Sequence, residues 1–482
     1  MGTSAPRVCV VNLGCRVNRV ESDWMETSFV QAGSSLCDED EADIVAINTC
    51  AVTGEAQAKT RKAVRHAAGL PKRPLVAVTG CVANLFPAEL EAIGANVRVF
   101  PAKLALVIDA LAAWEESNAG ASGAGGEPSL LKQSSALGGC GTRDGASPSS
   151  LTQASNAFAH EKGLWEGFAE PTGASNLHSV FRARRGVKIQ DGCDNHCTYC
   201  IVWRARGKSL STPYSLIEAQ VRQVLAEGAL EVDLTGINLG RYCSVDERGE
   251  ALDLAGLIGR LGPLVRERGA LLRAGSIEPP EVTEGLVGAY ADNADVVAPF
   301  FHLPLQAGSD NVLRRMGRRY TAQKFLQKVE LIRDALPSAA VSTDIIVGFP
   351  GETEEDFGQT LALSERAGFS KIHAFRFSAR PDTPAAGMSD QVAPEVIRER
   401  SERLRALADR LRREDAARRV GTVERALIEQ IDADGTARGT TASHHELAVP
   451  AGDHGLSKSA LLRVSLTGVV ADATLVGQAR PD

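Results

Sequence analysis

The sequence has no surplus of positive charge: 53 lysines and arginines face 60 aspartates and glutamates among 482 residues, a net charge of −7. That excludes a protein that coats nucleic acid by bulk charge and leaves room only for a local basic groove, because steering depends on where charges sit. It has no apolar run approaching the ~20 residues needed to span a bilayer. The opening residues, Met1-Gly2-Thr3-Ser4-Ala5-Pro6-Arg7, lack the apolar core of a secretory signal. The expectation is a cytoplasmic chain with no membrane partner. Ten cysteines in so long a chain are too few for a disulfide framework in a reducing compartment. They point to metal ligation, catalysis or plain burial. What is present is ordinary for a globular protein, with 44% hydrophobic and 23% charged residues. The length predicts roughly three domains.

Residues 1–114 alternate short apolar runs with helix-forming sequence. The runs at 8–12, 43–48 and 75–80 read as buried strands, which predicts a small α/β domain with a parallel sheet. Residues 115–180 change character: Gly- and Ser-rich stretches at 118–126 and 138–142 have no sustained period and read as a flexible low-complexity insert or linker without a core. Strand-like runs resume within 181–419, at 187–190, 232–235, 271–276, 301–304, 341–347 and 372–377, with helical sequence between them, as at 215–227 and 354–367. Such repetition predicts a parallel barrel or partial barrel with its chemistry at the strand C-terminal ends. Residues 394–419 read as one long charged helix, nine arginines against six acids. The last segment, 420–482, has short β-type runs punctuated by Gly and Asp and predicts a small all-β barrel.

The sharpest chemical signal is Cys193-Asp-Asn-His-Cys197-Thr-Tyr-Cys200, placed just after a predicted strand. Three thiolates on one loop can hold three irons of a [4Fe–4S] cluster and leave the fourth iron open. Zinc is the competing reading; it wants a fourth protein ligand, and His196 is adjacent. In the first segment Cys15, Cys50 and Cys81 each follow a predicted strand. Parallel strands present their C-terminal loops on one edge, so these three can converge and hold a second cluster. The plainer reading is three small buried residues at strand ends. Cys9, Cys37, Cys140 and Cys243 carry no assigned role, with Cys9 expected in the core.

The three-cysteine loop, with Tyr199 before its last cysteine, resembles the signature of radical S-adenosylmethionine enzymes. The runs Gln190–Val202, Ala205-Arg-Gly207, His302–Ser309 and Thr343–Glu352 are similar to the methylthiotransferase branch. The resemblance covers nearly the whole chain except the insert. It implies a partial (β/α)6 TIM-like barrel between the α/β domain and a C-terminal TRAM-like module. It implies that Cys193, Cys197 and Cys200 hold a cluster whose open iron binds S-adenosylmethionine, whose cleavage releases a 5′-deoxyadenosyl radical. It implies that Cys15, Cys50 and Cys81 hold an auxiliary [4Fe–4S] cluster that handles sulfur. Thr235-Gly236-Ile237-Asn238 matches a turn that relatives use for the methionine amino group, and Ile346-Val-Gly348 a segment that packs on adenine. Glu278, Gln306 and Asp344 end predicted strands and are candidates for ribose or substrate contact, or polar caps of the rim. No side chain is assigned a catalytic role beyond the cluster ligands.

Relatives in this branch act on adenosine beside the anticodon of tRNA or on a ribosomal-protein aspartate. The runs Leu13–Ser22, Asn48–Thr53 and Leu234–Tyr242 resemble the branch that modifies N6-threonylcarbamoyladenosine, which implies a tRNA substrate and a flavodoxin- or ferredoxin-like electron donor. Isopentenyladenosine, a protein side chain, or no catalysis in a zinc-stabilised RNA binder are the alternatives. RNA contact needs positive charge. Arg182, Arg184, Arg185, Lys188, Arg204, Arg206 and Lys208 flank the three-cysteine loop, and Lys59, Arg61, Lys62 and Arg65 follow Cys50. Two features depart from the branch: Val202-Trp203-Arg204 stands where relatives carry Pro and Tyr, and residues 420–482 hold five basic against eight acidic side chains.

Overall fold

Apolar runs flanked by helices bury both faces of a parallel sheet, and the strands of this chain follow that rule. In the computed structural model, residues 5–51, 54–101, 106–122, 183–246, 248–450 and 456–480 are described. They fall into two units, one comprising Met1–Leu13, Glu21–Thr49 and Ala58–Leu177, the other Gly14–Val20, Cys50–Gln57 and His178–Asp482.

The first unit is a five-stranded sheet of β1 (Arg7–Asn12), β2 (Ser35–Leu36), β3 (Ile44–Thr49), β4 (Leu75–Gly80) and β5 (Val97–Val99), all parallel in the order β2-β1-β3-β4-β5. Its core gathers Val8, Phe29, Ile44, Ala46, Ala77 and Leu106. The three predicted strands are present; β2 and β5 are too short to show a sequence pattern. The helix Leu106–Ser122 continues through the first eight positions of the expected insert, and 123–180 lies outside the described residues. Thr49 ties two strand ends together: its hydroxyl donates to the Thr79 carbonyl (2.7 Å) and accepts from Val82 N and Ala83 N (3.1 and 3.2 Å). This caps the helix Cys81–Leu85, satisfying N–H groups that have no intrahelical partner.

In the second unit six parallel strands alternate with helices: β6 (Arg184–Lys188), β7 (Glu231–Thr235), β8 (Leu271–Ala274), β9 (Phe300–His302), β10 (Ala340–Val347) and β11 (Lys371–Arg376). They pair as β8-β7-β6 and β9-β10-β11, and the bridges Leu272↔Val297 and Ser276↔His302 join the two halves. This is the expected partial barrel, with all six predicted strands in place. The helix Pro394–Arg419 packs beside β11. Beyond it β12 (Val423–Ile431), β13 (Ala437–Thr441), β14 (Glu446–Val449), β15 (Ala460–Val469) and β16 (Leu475–Ala479) close a barrel in the order β12-β13-β14-β16-β15, a TRAM-like module.

Buried charge joins the two barrels. Arg273, 1% exposed, donates to Glu231 Oε1 (2.8 Å) and to the carbonyls of Ala442 (3.0 Å) and Thr441 (3.4 Å), while Arg184 Nε donates to the same Glu231 oxygen (2.7 Å). Burial and the charges of Arg273, Arg16 and Arg184 hold His444 neutral, its pKa lowered to about 2, so it accepts from Arg16 Nη2 (3.2 Å).

Burial opposes ionisation of Glu231, but Arg273 and Arg184 overcome it and lower its pKa to about 2. A carboxylate depressed in the folded state adds stability in full above its unfolded pKa near 4.5 and loses it as pH falls toward 2. Glu231→Gln is expected to lower stability at neutral pH by about 3 kcal/mol, with the deficit shrinking between pH 4.5 and 2. Urea denaturation across that range checks both parts.

Candidate functional site

The three-cysteine loop leaves β6 through a short antiparallel pairing of Gln190–Asp191 with Leu210–Ser211. Gly192 has φ +71°, and a Cβ there would lie 1.9 Å from the Lys208 carbonyl oxygen, so only glycine fits the entry to the loop. Cys193 N donates to Gly207 O (3.0 Å), Cys200 N to Cys197 O (3.1 Å), and Thr198 N to Met316 O (3.0 Å). Arg318 Nη1 approaches Cys197 Sγ at 3.2 Å, while its other nitrogens hold Tyr320 Oη, Pro304 O and Glu278. Burial raises the Cys193 thiol and pushes Cys200 up to about 12, and a bound metal ion would favour the thiolates.

The spacing bears on which metal fits. Among the described residues, one set of three His, Cys, Asp or Glu ligand atoms lies within 4.8 Å of one another, and it contains no cysteine. Tetrahedral zinc needs its sulfurs roughly 3.8 Å apart; a cubane holds its thiolates wider. His196, the adjacent zinc ligand by sequence, packs its ring 4.5 Å from Trp203. The cysteine sulfurs are therefore not gathered as tetrahedral zinc would gather them.

Gln190, a residue the sequence reading gave no role, positions the next strand end. It is fully buried; its Oε1 accepts from Ile237 N (2.9 Å) and Asn238 N (2.7 Å), and its Nε2 donates to Asp191 O, Gly192 O and Ser209 Oγ. One side chain therefore fixes the cysteine loop against the 235–238 turn. At that turn Thr235 Oγ1, Asn238 Oδ1 and Glu281 Oε2 are buried and lack hydrogen-bond partners among the described residues. Such acceptors suit a ligand that carries a cationic amine. Tyr199 is half-buried beside Cys197, Cys200 and Arg318, and desolvation raises its phenol well above the usual range.

Gln306, with φ +67°, bridges to Ile345: its N donates to Asp344 O (2.8 Å) and its O accepts from Ile346 N (2.9 Å). Asp344 pairs in register with His373 and meets His302 Nε2 at 3.4 Å, and His302 Nδ1 lies 2.8 Å from Ser342 Oγ. His302, Asp344 and His373 are that compact set, half-buried on three adjacent barrel strands. Gly348 stands apart from the others: a Cβ there would strike Ile397 of the long helix at 2.3 Å, so it packs outward.

Segments 14–20 and 50–57 belong to the same unit as the barrel. A Cβ on Gly14 would lie 2.4 Å from Cys50 Cβ and 2.9 Å from its Sγ, so the Cys15 turn and Cys50 touch. Arg16 reaches Asp233 of β7 (3.1 Å), and Arg206 Nη2 donates to Asn18 Oδ1 (2.8 Å). Cys81, 2% exposed, opens its helix in the other unit. Cys9, expected in the core, is half-buried like Cys37 and lies outside the buried core, though burial still pushes its thiol up to about 12; Cys243 is exposed, and Cys140 is outside the described residues.

The basic residues around the cysteine loop are partly paired within the fold: Arg184 with Glu231 and Glu429, Arg185 with Glu227, Lys188 and Arg206 with Asp191, and Arg204 with Asp382. Arg204 and Lys208 are exposed, and Arg182 lies outside the described residues. Lys59, Lys62 and Arg65 also stand exposed, on one helix.

A six-stranded parallel partial barrel with three cysteines after its first strand defines a radical S-adenosylmethionine enzyme. Residues 187–364 match the Radical SAM superfamily, and 7–101 match the family described as Uncharacterized protein family UPF0004. The chain is 35% identical over 456 residues to a tRNA-2-methylthio-N(6)-dimethylallyladenosine synthase of Leifsonia xyli subsp. xyli, covering 92% of this chain and 77% of that one. It is 33% identical over 407 residues to the threonylcarbamoyladenosine tRNA methylthiotransferase MtaB of Bacillus subtilis, covering 84% and 81%. In fold it is similar to the radical S-adenosylmethionine methyltransferase TsrM of Kitasatospora setae, with TM-score 0.51, 15% identity and coverage of 80% and 77%. The chain belongs to the radical S-adenosylmethionine methylthiotransferase family, enzymes that carry a [4Fe–4S] cluster and use S-adenosylmethionine.

Gln190→Leu removes the acceptor for two buried N–H groups, each worth about 1–3 kcal/mol when left unmet. Calorimetric titration of the iron-loaded protein is expected to show S-adenosylmethionine affinity reduced about tenfold or more, with iron content kept; unchanged affinity would separate the turn from the cofactor.

Proposed function

We propose that this enzyme adds a methylthio group to C2 of N6-threonylcarbamoyladenosine beside the anticodon of tRNA. Its curated relatives are named as tRNA methylthiotransferases of both the threonylcarbamoyl and the dimethylallyl kinds, at nearly equal identity, so identity supports tRNA and leaves the nucleoside to the site. The observation that carries the choice is the polar cluster on three adjacent barrel strands, His302, Ser342, Asp344 and His373. A threonylcarbamoyl group brings a carboxylate, a hydroxyl and a urea that such donors and acceptors can pair. A dimethylallyl group has no polar atom to offer them.

In this reading Cys193, Cys197 and Cys200 ligate the cluster that meets S-adenosylmethionine. Tyr199, Thr235, Gly236, Asn238, Glu278, Gln306 and Ile346 surround the bound methionine and adenosine, and Gly348 supports them from behind. Cys15, Cys50 and Cys81 ligate the auxiliary [4Fe–4S] cluster. Support for the second trio comes from chain connectivity: Cys50 and Cys81 follow Thr49 and Gly80, which pair across the sheet, and the Cys15 turn rests on Cys50. Together the clusters and S-adenosylmethionine supply radical abstraction of the C2 hydrogen, methyl transfer and sulfur. The protein holds the reactants in register, since such transfer depends on positioning. Electrons come from a flavodoxin- or ferredoxin-like donor. Lys59, Lys62 and Arg65, on the helix after Cys50, offer phosphate contacts.

Two results test this. Mass spectrometry of tRNA nucleosides from cells with and without the gene is expected to show loss of the 2-methylthio-N6-threonylcarbamoyladenosine peak; loss of the dimethylallyl product instead would transfer the assignment. Anaerobic reconstitution is expected to give about eight irons and eight sulfides per chain. Gly14→Val, which drives a side chain into Cys50, is expected to retain about half of that iron; a variant still holding the full complement would dissociate Cys50 from the auxiliary cluster.

A further inference from the structure

Strand register gathers four polar side chains on one face of the second half-barrel. His302 of β9 stands opposite Ser342 of β10, and Asp344, two residues on, stands opposite His373 of β11. Residues two apart on a strand share a face, so the four lie together. Their chain neighbours Phe301, Val341, Ile345 and Ile372 belong to the apolar core. Alternation leaves the polar four on the inner face of the barrel, and all of them belong to one unit.

His302, Asp344 and His373 can each offer one ligand atom, and the three atoms lie within 4.8 Å of one another. His302 Nε2 is 3.4 Å from Asp344 Oδ2. That is longer than the about 2.7–3.2 Å of an N–H···O hydrogen bond. It matches the roughly 3.4 Å between two ligands that share one ion at about 2.0–2.1 Å from each. Ser342 Oγ, 2.8 Å from His302 Nδ1, is the outer partner that a ligating imidazole takes to fix its ring. Among the described residues Asp344 forms no ion pair with a lysine or arginine. The side chains of His302 and Asp344 are 17% and 27% exposed, so the set can be reached by a ligand. Two imidazoles and one carboxylate are the donor set of divalent transition metals that keep open coordination positions.

We propose that His302, Asp344 and His373 hold one divalent transition-metal ion, and that this ion receives the carboxylate of the threonylcarbamoyl group. The second half rests on the nucleoside reading given above. A substrate carboxylate laid directly against Asp344 meets like charge, and two carboxylates that share a site resist ionising together. A divalent ion between them turns that repulsion into two bonds, one to Asp344 and one to the substrate. A dimethylallyl group has no atom to ligate it. The ion makes and breaks no covalent bond; it orients the modified base inside the barrel.

The test titrates manganese(II) chloride into the reconstituted full-length enzyme with its clusters oxidised, and the electron paramagnetic resonance signal of free Mn2+ reports what stays unbound. Wild type is expected to hold about one Mn2+ per chain. Asp344→Asn and His373→Ala are expected to weaken it by more than about tenfold, and Ser342→Ala, which removes only the partner of His302 Nδ1, by about tenfold. All three are expected to keep the iron content of wild type. An anticodon stem-loop carrying N6-threonylcarbamoyladenosine is expected to bind wild type about tenfold tighter with Mn2+ than without it. A stem-loop carrying dimethylallyladenosine is expected to gain no more than one carrying plain adenosine. No saturable Mn2+ in wild type, an unchanged Mn2+ affinity in Asp344→Asn, or an equal effect of Mn2+ on all the stem-loops would overturn the proposal. The two readings fail separately. Loss of the dimethylallyl product from cells, with Mn2+ still weakened in Asp344→Asn, removes the nucleoside assignment and leaves the metal site; a wild type without Mn2+ removes the metal site and leaves the nucleoside assignment.

Discussion

Sulfur ligands that hold an iron cube are anionic, and a buried anion is stable only beside positive charge. That requirement runs through the second unit. Arg318 reaches Cys197 and is itself held by Glu278 and by the hydroxyl of Tyr320. Arg380 stands by Cys50 and Cys200 with a nitrogen left over. Both arginines arrive from segments far along the chain, so the charge that makes the site habitable for thiolates exists only once the barrel has closed. The two differ: Arg318 has its carboxylate, and Arg380 pairs with none among the described residues.

The same closure sets distances. Parallel strands deliver their following loops to one rim, but a rim alone leaves each loop free to wander. Gln190 removes that freedom for two of them, because one amide group satisfies the cysteine loop on one side and the 235–238 turn on the other. Thr198 does the same between the cysteine loop, the 315–316 carbonyls and the loop of Arg380. Neutral hydrogen bonds suffice here because they are buried, where leaving a donor unmet is expensive. The rim is thus a mesh of single side chains each bonded to two loops.

Much of this was legible from residue order. Apolar runs of strand length marked all six barrel strands, and a C-x3-C-x2-C after the first of them marked the cluster loop. What escaped reading shares one physical feature: it depends on pairing across long separations. Arg184, Arg185, Arg204 and Arg206 stand as a basic run in sequence, and folding sets Glu231, Glu429, Glu227, Asp382 and Asp191 beside them. A charge run shows the sign of a segment and says nothing of the acids that folding brings to it. A Cβ on Gly348 would meet Ile397 of the long helix, a contact between distant segments that residue order does not show. Strands of two and three residues, such as β2 and β5, are too short for any period to register.

The acidic C-terminal barrel posed the sharpest conflict between composition and an RNA-modifying role, and its docking resolves it. The turn from Thr441 to His445 lies against the central barrel: its carbonyls accept from Arg273, and His444 stacks edge-on to Phe300 at 4.7 Å. On the same side Arg425 donates to the carbonyls of Ala270 and Asp295 at 3.1 Å. A module recruited to cover buried arginines needs acceptors and neutral rings at the contact, and an excess of lysine there would repel Arg273, Arg184 and Arg16. Its acidity therefore follows from what it covers. The exposed face of the helix after Cys50 carries Lys59, Lys62 and Arg65, the positive charge that phosphate contact would need.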